Sequence, residues 1–147
     1  MVEEREWKNG QLIEVSRNFL AICKETQDVF YFGEEVDDYE NGQISGHAGA
    51  WRADSPHNKP GLIMPGSPEI GMAYFQEMAP GIAMDRAQII SLNETLTTPA
   101  GTFEHCLKTQ EGSALKPQEK EFKLYAQGIG LLQDGDMRLV KYGFIRD

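Results

Sequence analysis

The groups in this chain that could do chemistry are three histidines (His47, His57 and His105), two cysteines (Cys23 and Cys106) and an acidic run of Glu34, Glu35, Asp37, Asp38 and Glu40. Imidazole and thiolate suit zinc or copper. His105 and Cys106 are adjacent in an alternating run, however, so their side chains would leave opposite faces of a strand and share an ion only across a bulge. The acidic run offers oxygen donors for calcium but lacks the ordered spacing and closing bidentate glutamate of an EF-hand loop. A solvated connection between strands accounts for it better. Met64, Met72, Met78 and Met84 gather around one stretch of chain, where methionine more often fills irregular apolar gaps than ligates a soft metal. No metal and no cofactor is expected. Hydrolysis needs a nucleophile, a base and an orienting group, and His47 with Glu77 or Asp85 is the candidate. The chain holds no GxSxG, no HExxH and no phosphate-cradling glycine loop. Gln127-Gly128-Ile129-Gly130 suits a strand bend, since no helix follows to supply an anion-binding N-terminus. These residues assign no catalytic group and leave enzymatic activity open.

Aromatic residues point to binding. Tyr31, Trp51, Tyr74, Phe75, Phe103, Phe122 and Tyr125 all fall in expected strands, and on a curled sheet some face the concave side. There they fill a closed small barrel or line the apolar cavity of an open one. Trp51, Met64, Tyr74, Phe75, Phe122 and Tyr125 form the candidate ligand-binding set.

What must position these groups is a sheet. Asn9-Gly10, Asn41-Gly42, Ala100-Gly101 and Gly135-Asp136 each separate short alternating runs, and Asn-Gly is the strongest hairpin signal because a type I′ turn needs φ > 0 at both central positions. Residues 5–8 and 11–23 flank the first turn. Val29-Phe30-Tyr31-Phe32 is a compact strand rich in β-formers, and residues 34–40 read as an acidic connection to a strand over 43–51. Residues 52–71 carry Pro56, Pro60, Pro65 and Pro68 with Gly61 and Gly66, which excludes a central strand. A loop of that length is more often functional than accidental. Further strands are expected over 73–78, 85–92, 94–98, 102–109, 120–127, 129–133 and 137–144, with a polar loop over 111–118. The expected fold is all-β: a curved antiparallel meander of nine or ten strands, closing as a half-barrel, barrel or sandwich.

A chain of 147 residues suits one domain, here 1–147 with 52–71 as its long loop. The formal net charge of −9 opposes binding to nucleic acid or an anionic membrane. No run of apolar residues is long enough for a transmembrane helix, and the charged start, Met1-Val2-Glu3-Glu4-Arg5-Glu6, lacks the apolar core of a signal peptide. As it stands the chain reads as cytoplasmic. The cysteines form no CxxC pattern, so free thiols are expected, with a single disulfide as the alternative in an oxidising compartment.

Five blocks carry a family resemblance: Val29-Phe30-Tyr31-Phe32-Gly33-Glu34-Glu35-Val36, His47-Ala48-Gly49-Ala50-Trp51, Pro60-Gly61-Leu62-Ile63-Met64-Pro65-Gly66, Thr97-Thr98-Pro99-Ala100-Gly101-Thr102-Phe103 with Cys106-Leu107-Lys108-Thr109, and Tyr125-Ala126-Gln127-Gly128-Ile129-Gly130-Leu131. Through them residues 28–144 resemble a group of uncharacterised bacterial proteins, many secreted or lipid-anchored. The Pro-Ala-Gly-Thr-Phe turn followed by the Tyr-Ala-x-Gly-x-Gly strand is also similar to the closing part of curved sheets in envelope lipid-carrier and lipocalin-like proteins. The resemblance implies an exported or envelope-associated protein. Such relatives carry an export signal and further β sequence ahead of the region matching residues 2–27, so a second copy is expected to supply the missing strands in a homodimer. The function expected first is a non-catalytic β module binding a small apolar ligand or lipid. A homodimeric structural or interaction module is the alternative, and a hydrolase built on His47 and a nearby carboxylate the third.

Overall fold

The computed structural model describes residues 1–144. It is all-β, with no helix among the described residues. Among the described residues twelve strands form: β1 (Val2–Lys8), β2 (Gln11–Ile22), β3 (Val29–Glu40), β4 (Gln43–Gly46), β5 (Trp51–Arg52), β6 (Gly61–Met64), β7 (Ala73–Phe75), β8 (Asp85–Thr98), β9 (Gly101–Ser113), β10 (Lys116–Ala126), β11 (Gly130–Asp134) and β12 (Met137–Arg138). They build two antiparallel sheets, and no barrel closes. The first runs β1-β2-β3-β4, with β5 and β6 also paired to β3; the second runs β12-β11-β10-β9-β8-β7. The chain divides into two compact units, Met1–Ser67 with Tyr74–Asp85 and Pro68–Ala73 with the residues from Arg86 onward.

Both Asn-Gly turns form as their chemistry demands, with φ of 53° and 77° at Asn9 and Gly10 and again at Asn41 and Gly42. Five expectations about the rest of the chain need correction. The acidic run is not a connection: it is the second half of β3, which stays paired with β2 from Glu34↔Asn18 to Asp38↔Glu14. Residue-by-residue pairing with β2 keeps it in the sheet despite its charge. The strand expected over 43–51 breaks at the turn around Gly49, leaving β4 and β5. Within 52–71, residues 61–64 form β6, which pairs with β3 alone; Pro60 and Pro65 flank it, and an edge position is the one place such a strand is tolerated. The polar segment 111–118 is strand at both ends, since β9 reaches Ser113 and β10 begins at Lys116. At the other extreme, 137–144 yields only the two residues of β12.

Glycines allow backbone to pack on backbone in the first unit. Between Asn18↔Glu34 and Leu20↔Tyr31 the register slips, so that Phe32 and Gly33 together oppose Phe19. Gly33 takes φ 110°, and a Cβ there would lie 2.2 Å from the Trp51 carbonyl oxygen. The bulge places Tyr31 and Glu34, three residues apart, on one face. Beside it, Tyr31, Trp51, Ala79 and Ala83 form the core, with Leu20, Ala53 and Ile63 packed around them. The Tyr31 and Trp51 rings meet edge to face at 5.5 Å and 88°, the arrangement the ring quadrupoles favour.

The second unit has its own core of Cys106, Leu124 and Leu132, supported by Leu96, Phe103, Ala126, Ile129 and Leu139. One of its local irregularities bears on chemistry. His105 has φ 54°, which breaks the alternation so that Cys106 and Leu107 are both buried although adjacent.

Candidate functional site

Cross-strand partners share a face of a sheet, so the register of β1, β2 and β3 defines three rows: Val2, Asn18 and Glu34; Glu4, Ser16 and Val36; Glu6, Glu14 and Asp38. One face therefore gathers five carboxylates, and the third row sets three of them side by side. At its inner end this face is covered. Glu34 lies opposite Trp51, the Tyr31 hydroxyl donates to Asn18 Oδ1, and the Trp51 Nε1–H donates to Glu77 Oε1 at 3.1 Å. Burial pushes the Glu34 carboxyl up; the Tyr31 hydroxyl works against that, while Glu14, Glu4 and Asp85 reinforce it. Burial and the carboxylates of Glu34 and Glu77 likewise hold the Tyr31 phenol in its neutral form, well above its ordinary value. Glu14 is pushed up by burial and by Glu6, Asp38 and Glu4. Toward β1 the face opens, and Glu4 and Glu6 are exposed.

The opposite face carries the same residue types with their charges matched. Arg17 bonds Asp37 at 2.9 Å and approaches Glu3 at 3.5 Å, Arg5 bonds Glu3 at 2.8 Å, and Arg52 bonds Glu35 at 2.7 Å while its guanidinium lies 3.2 Å from the Phe19 ring centroid. His47 is held here too. Its Nδ1 lies 2.7 Å from the Val36 carbonyl and 3.2 Å from Asp37 Oδ1, so its carboxylate neighbour is Asp37 rather than Glu77 or Asp85. Among the described residues no hydroxyl or thiol hydrogen-bonds to His47. Beside Arg52, Phe32, Ala53 and Asp54 complete the lining of an open pocket of about 390 Å³.

In the second unit a carboxylate is buried with its partners supplied. Glu111, only 5% exposed, accepts hydrogen bonds from the Thr109 hydroxyl at 2.7 Å and the Tyr125 hydroxyl at 3.0 Å. Lys123 Nζ stands 3.4 Å from Glu111, 3.2 Å from Asp134 and 3.5 Å from Glu121. Burial opposes the Lys123 ammonium, but Glu111, Asp134 and Glu121 outweigh it and keep its pKa above the ordinary lysine value.

The six residues expected to bind a ligand fall in different settings. Trp51 is 4% exposed in the first core. Met64 pairs with Val29 at the end of β6, Tyr74 is half-buried, and Phe75 is 40% exposed. These four belong to the first unit and Phe122 and Tyr125 to the second. Phe122 is exposed beneath Lys108, whose Nζ lies 4.9 Å from the ring centroid, and Tyr125 is half-buried with its hydroxyl on Glu111. The other candidates also part. His105 Nδ1 meets Asn93 Oδ1 at 2.6 Å on the surface, whereas the fully buried Cys106 donates its thiol to the Phe103 carbonyl at 3.4 Å. Cys23 and Cys106 are free thiols, and the four methionines are half-buried. Among the described residues no group of three or more His, Cys, Asp or Glu could hold a metal ion.

Sequence reasoning missed Asn18, Glu14 and Glu34 as one constellation. The available signal was position alone: Glu34, Val36 and Asp38 stand at every second residue, and so share one face once the segment is strand. No family model, curated protein or solved structure matches the chain, and no described helix is long and apolar enough to cross a membrane.

Proposed function

We propose that the chain is a non-catalytic β interaction module, which keeps the interaction role of the second reading open to its sequence but not its homodimer, and that it works through the surface of its first sheet rather than through an internal cavity. The observation that carries this reading is the row Glu6, Glu14 and Asp38. Like charges set directly opposite one another destabilise a sheet; among the described residues no basic side chain pairs with this row, in which Asp38 is answered by the Ala48 N–H at 2.7 Å, although the opposite face of the same strands is ion-paired. A surface with unmet charge has something to gain from a partner. Of the aromatic residues expected to bind a ligand, by contrast, Trp51 packs against Tyr31 in a core, Tyr125 hydrogen-bonds Glu111, Phe122 lies beneath Lys108 and Phe75 is exposed.

The carrier reading is favoured by one feature, the open pocket at Phe32, Arg52, Ala53 and Asp54. Its volume is at the small end for ligand sites, and two of its four lining residues are charged. Titration with a fluorescent fatty acid separates the two readings. The module should show no saturable binding displaced by unlabelled fatty acid; saturable, displaceable binding would replace it with the carrier.

A further inference from the structure

β1 is a free edge. All seven of its residues are exposed, it pairs with β2 and with no other described strand, and it contains neither proline nor glycine. Sheet edges elsewhere in the molecule are short: three residues in β7, two in β12, four in β4 and β6 and two in β5. Shortness is one of the ordinary protections against unwanted pairing, and covering loops and prolines are others. β1 has one register slip, between Glu6 and Trp7 at its end toward the turn, and otherwise only charge, which is distributed by face. Glu3 and Arg5 are ion-paired on one side. Glu4 and Glu6, on the other, extend the carboxylate rows through Ser16 to Val36 and through Glu14 to Asp38.

Two kinds of strand could complete this edge, and charge selects between them. A second copy pairing antiparallel about Arg5 would set Glu4 of each chain against Glu6 of the other, adding like charges to a face that already has too many. A strand with lysine or arginine at every second position would instead place cations beside Glu4 and Glu6, while its backbone satisfies the open N–H and C=O groups of β1. We propose that β1 is a docking strand for an extended basic segment of another protein, which adds to the free edge and sets its basic side chains on the Glu4, Glu6 and Glu14 face. This inference rests on the interaction-module reading and names its partner chemistry.

The test uses the whole chain and a labelled peptide of β1's length that alternates lysine with threonine or valine, followed by fluorescence anisotropy. The peptide should bind saturably and weaken as salt is raised. A peptide of identical charge, N-methylated along one backbone edge, should lose the binding, because it keeps the cations and cannot continue the ladder. The double variant Glu4→Gln/Glu6→Gln should bind about tenfold more weakly. Both positions are exposed, so this variant keeps the wild-type circular dichroism spectrum, which verifies that weaker binding is not unfolding. Equal binding of the N-methylated peptide would overturn the proposal, reducing it to unspecific charge attraction. A wild-type dimer in light scattering that the double variant strengthens and that excludes the peptide would overturn it in favour of a second copy. Absence of peptide binding would also overturn it, and the module reading would still stand or fall separately on the fatty-acid titration.

Discussion

Two groups of carboxylates leave water in this molecule and meet opposite treatment. Glu111 in the second unit is the more deeply buried, yet two hydroxyls and an ammonium answer it. Glu14 and Glu34 in the first unit are less buried, yet their neighbours are other acids, and both carboxyls are pushed up. The difference teaches that depth alone does not mark a functional group. A buried charge with its partners in place is a fastening, complete within the chain. A half-buried charge among like charges is unfinished and marks the surface where something else can bind with gain.

The largest effect is expected at the covered end of the acidic face. Trp51→Ala removes the ring that packs on Tyr31 and opposes Glu34, and should cost about 3–5 kcal/mol, the range for deleting a large buried aromatic. Thermal unfolding measures this; an unchanged midpoint would mean that packing does not hold the inner end of the row. Next in size is the fastening itself. Lys123→Met leaves Glu111 buried beside methyl groups and should cost about 3 kcal/mol, while adding Glu111→Gln should restore much of the loss. If urea midpoints place the single variant within about 0.5 kcal/mol of wild type, as for a surface change, Glu111 does not depend on its cation.

The smallest effect has the opposite sign. Glu14→Gln should stabilise the fold at neutral pH by about 0.2–1 kcal/mol, the scale of one cross-strand pair. Because the Glu14 carboxyl is raised in the folded chain, the folded state holds that proton more readily than the unfolded state. Wild-type stability therefore falls as pH rises from the ordinary carboxylate value through the raised one, and the cost persists above it. The gain from glutamine should accordingly be full at neutral pH and vanish below the ordinary glutamate value of 4.5. Urea unfolding at both ends of that window checks it, and a gain that persists in acid would place its origin in packing.

The hairpins were legible because Asn9-Gly10 and Asn41-Gly42 are local signals whose conformation depends on two residues. The all-β class followed from them and from period-two runs. What could not be read was whatever depends on a distant partner. Residues 34–40 look like a linker by composition, and only pairing with β2 and continuity from Tyr31 make them strand. Glu111 lay in a segment read as polar loop, but its burial depends on Tyr125 and Lys123 from the next strand. The backbone turn at His105 leaves no sequence mark, since histidine at positive φ is uncommon. The acidic face was the hardest to foresee. It requires the β1–β2 and β2–β3 registers together with the bulge at Gly33, and a one-residue slip would have sent each carboxylate to the other side.

The backbone contacts of the first unit also set an order in time. A Cβ at Gly61 would lie 1.9 Å from the Gln76 carbonyl oxygen, and one at Gly66 would lie 2.0 Å from that of Thr26. The Gly66 N–H is tied to Asp28 Oδ1 at 2.8 Å, and the core around Tyr31 and Trp51 is complete only when Ala79 and Ala83 arrive. Each of these closures spans a long stretch of chain and carries an entropic cost before any contact rewards it. The β9–β10 and β10–β11 hairpins of the second unit join strands that follow one another directly, and local pairing of that kind forms quickly. During refolding the local ladders of both units, β1–β2 and β2–β3 included, can thus form early, while the cover over the inner end of the acidic face, which waits for Trp51, Ala79 and Ala83, is finished late.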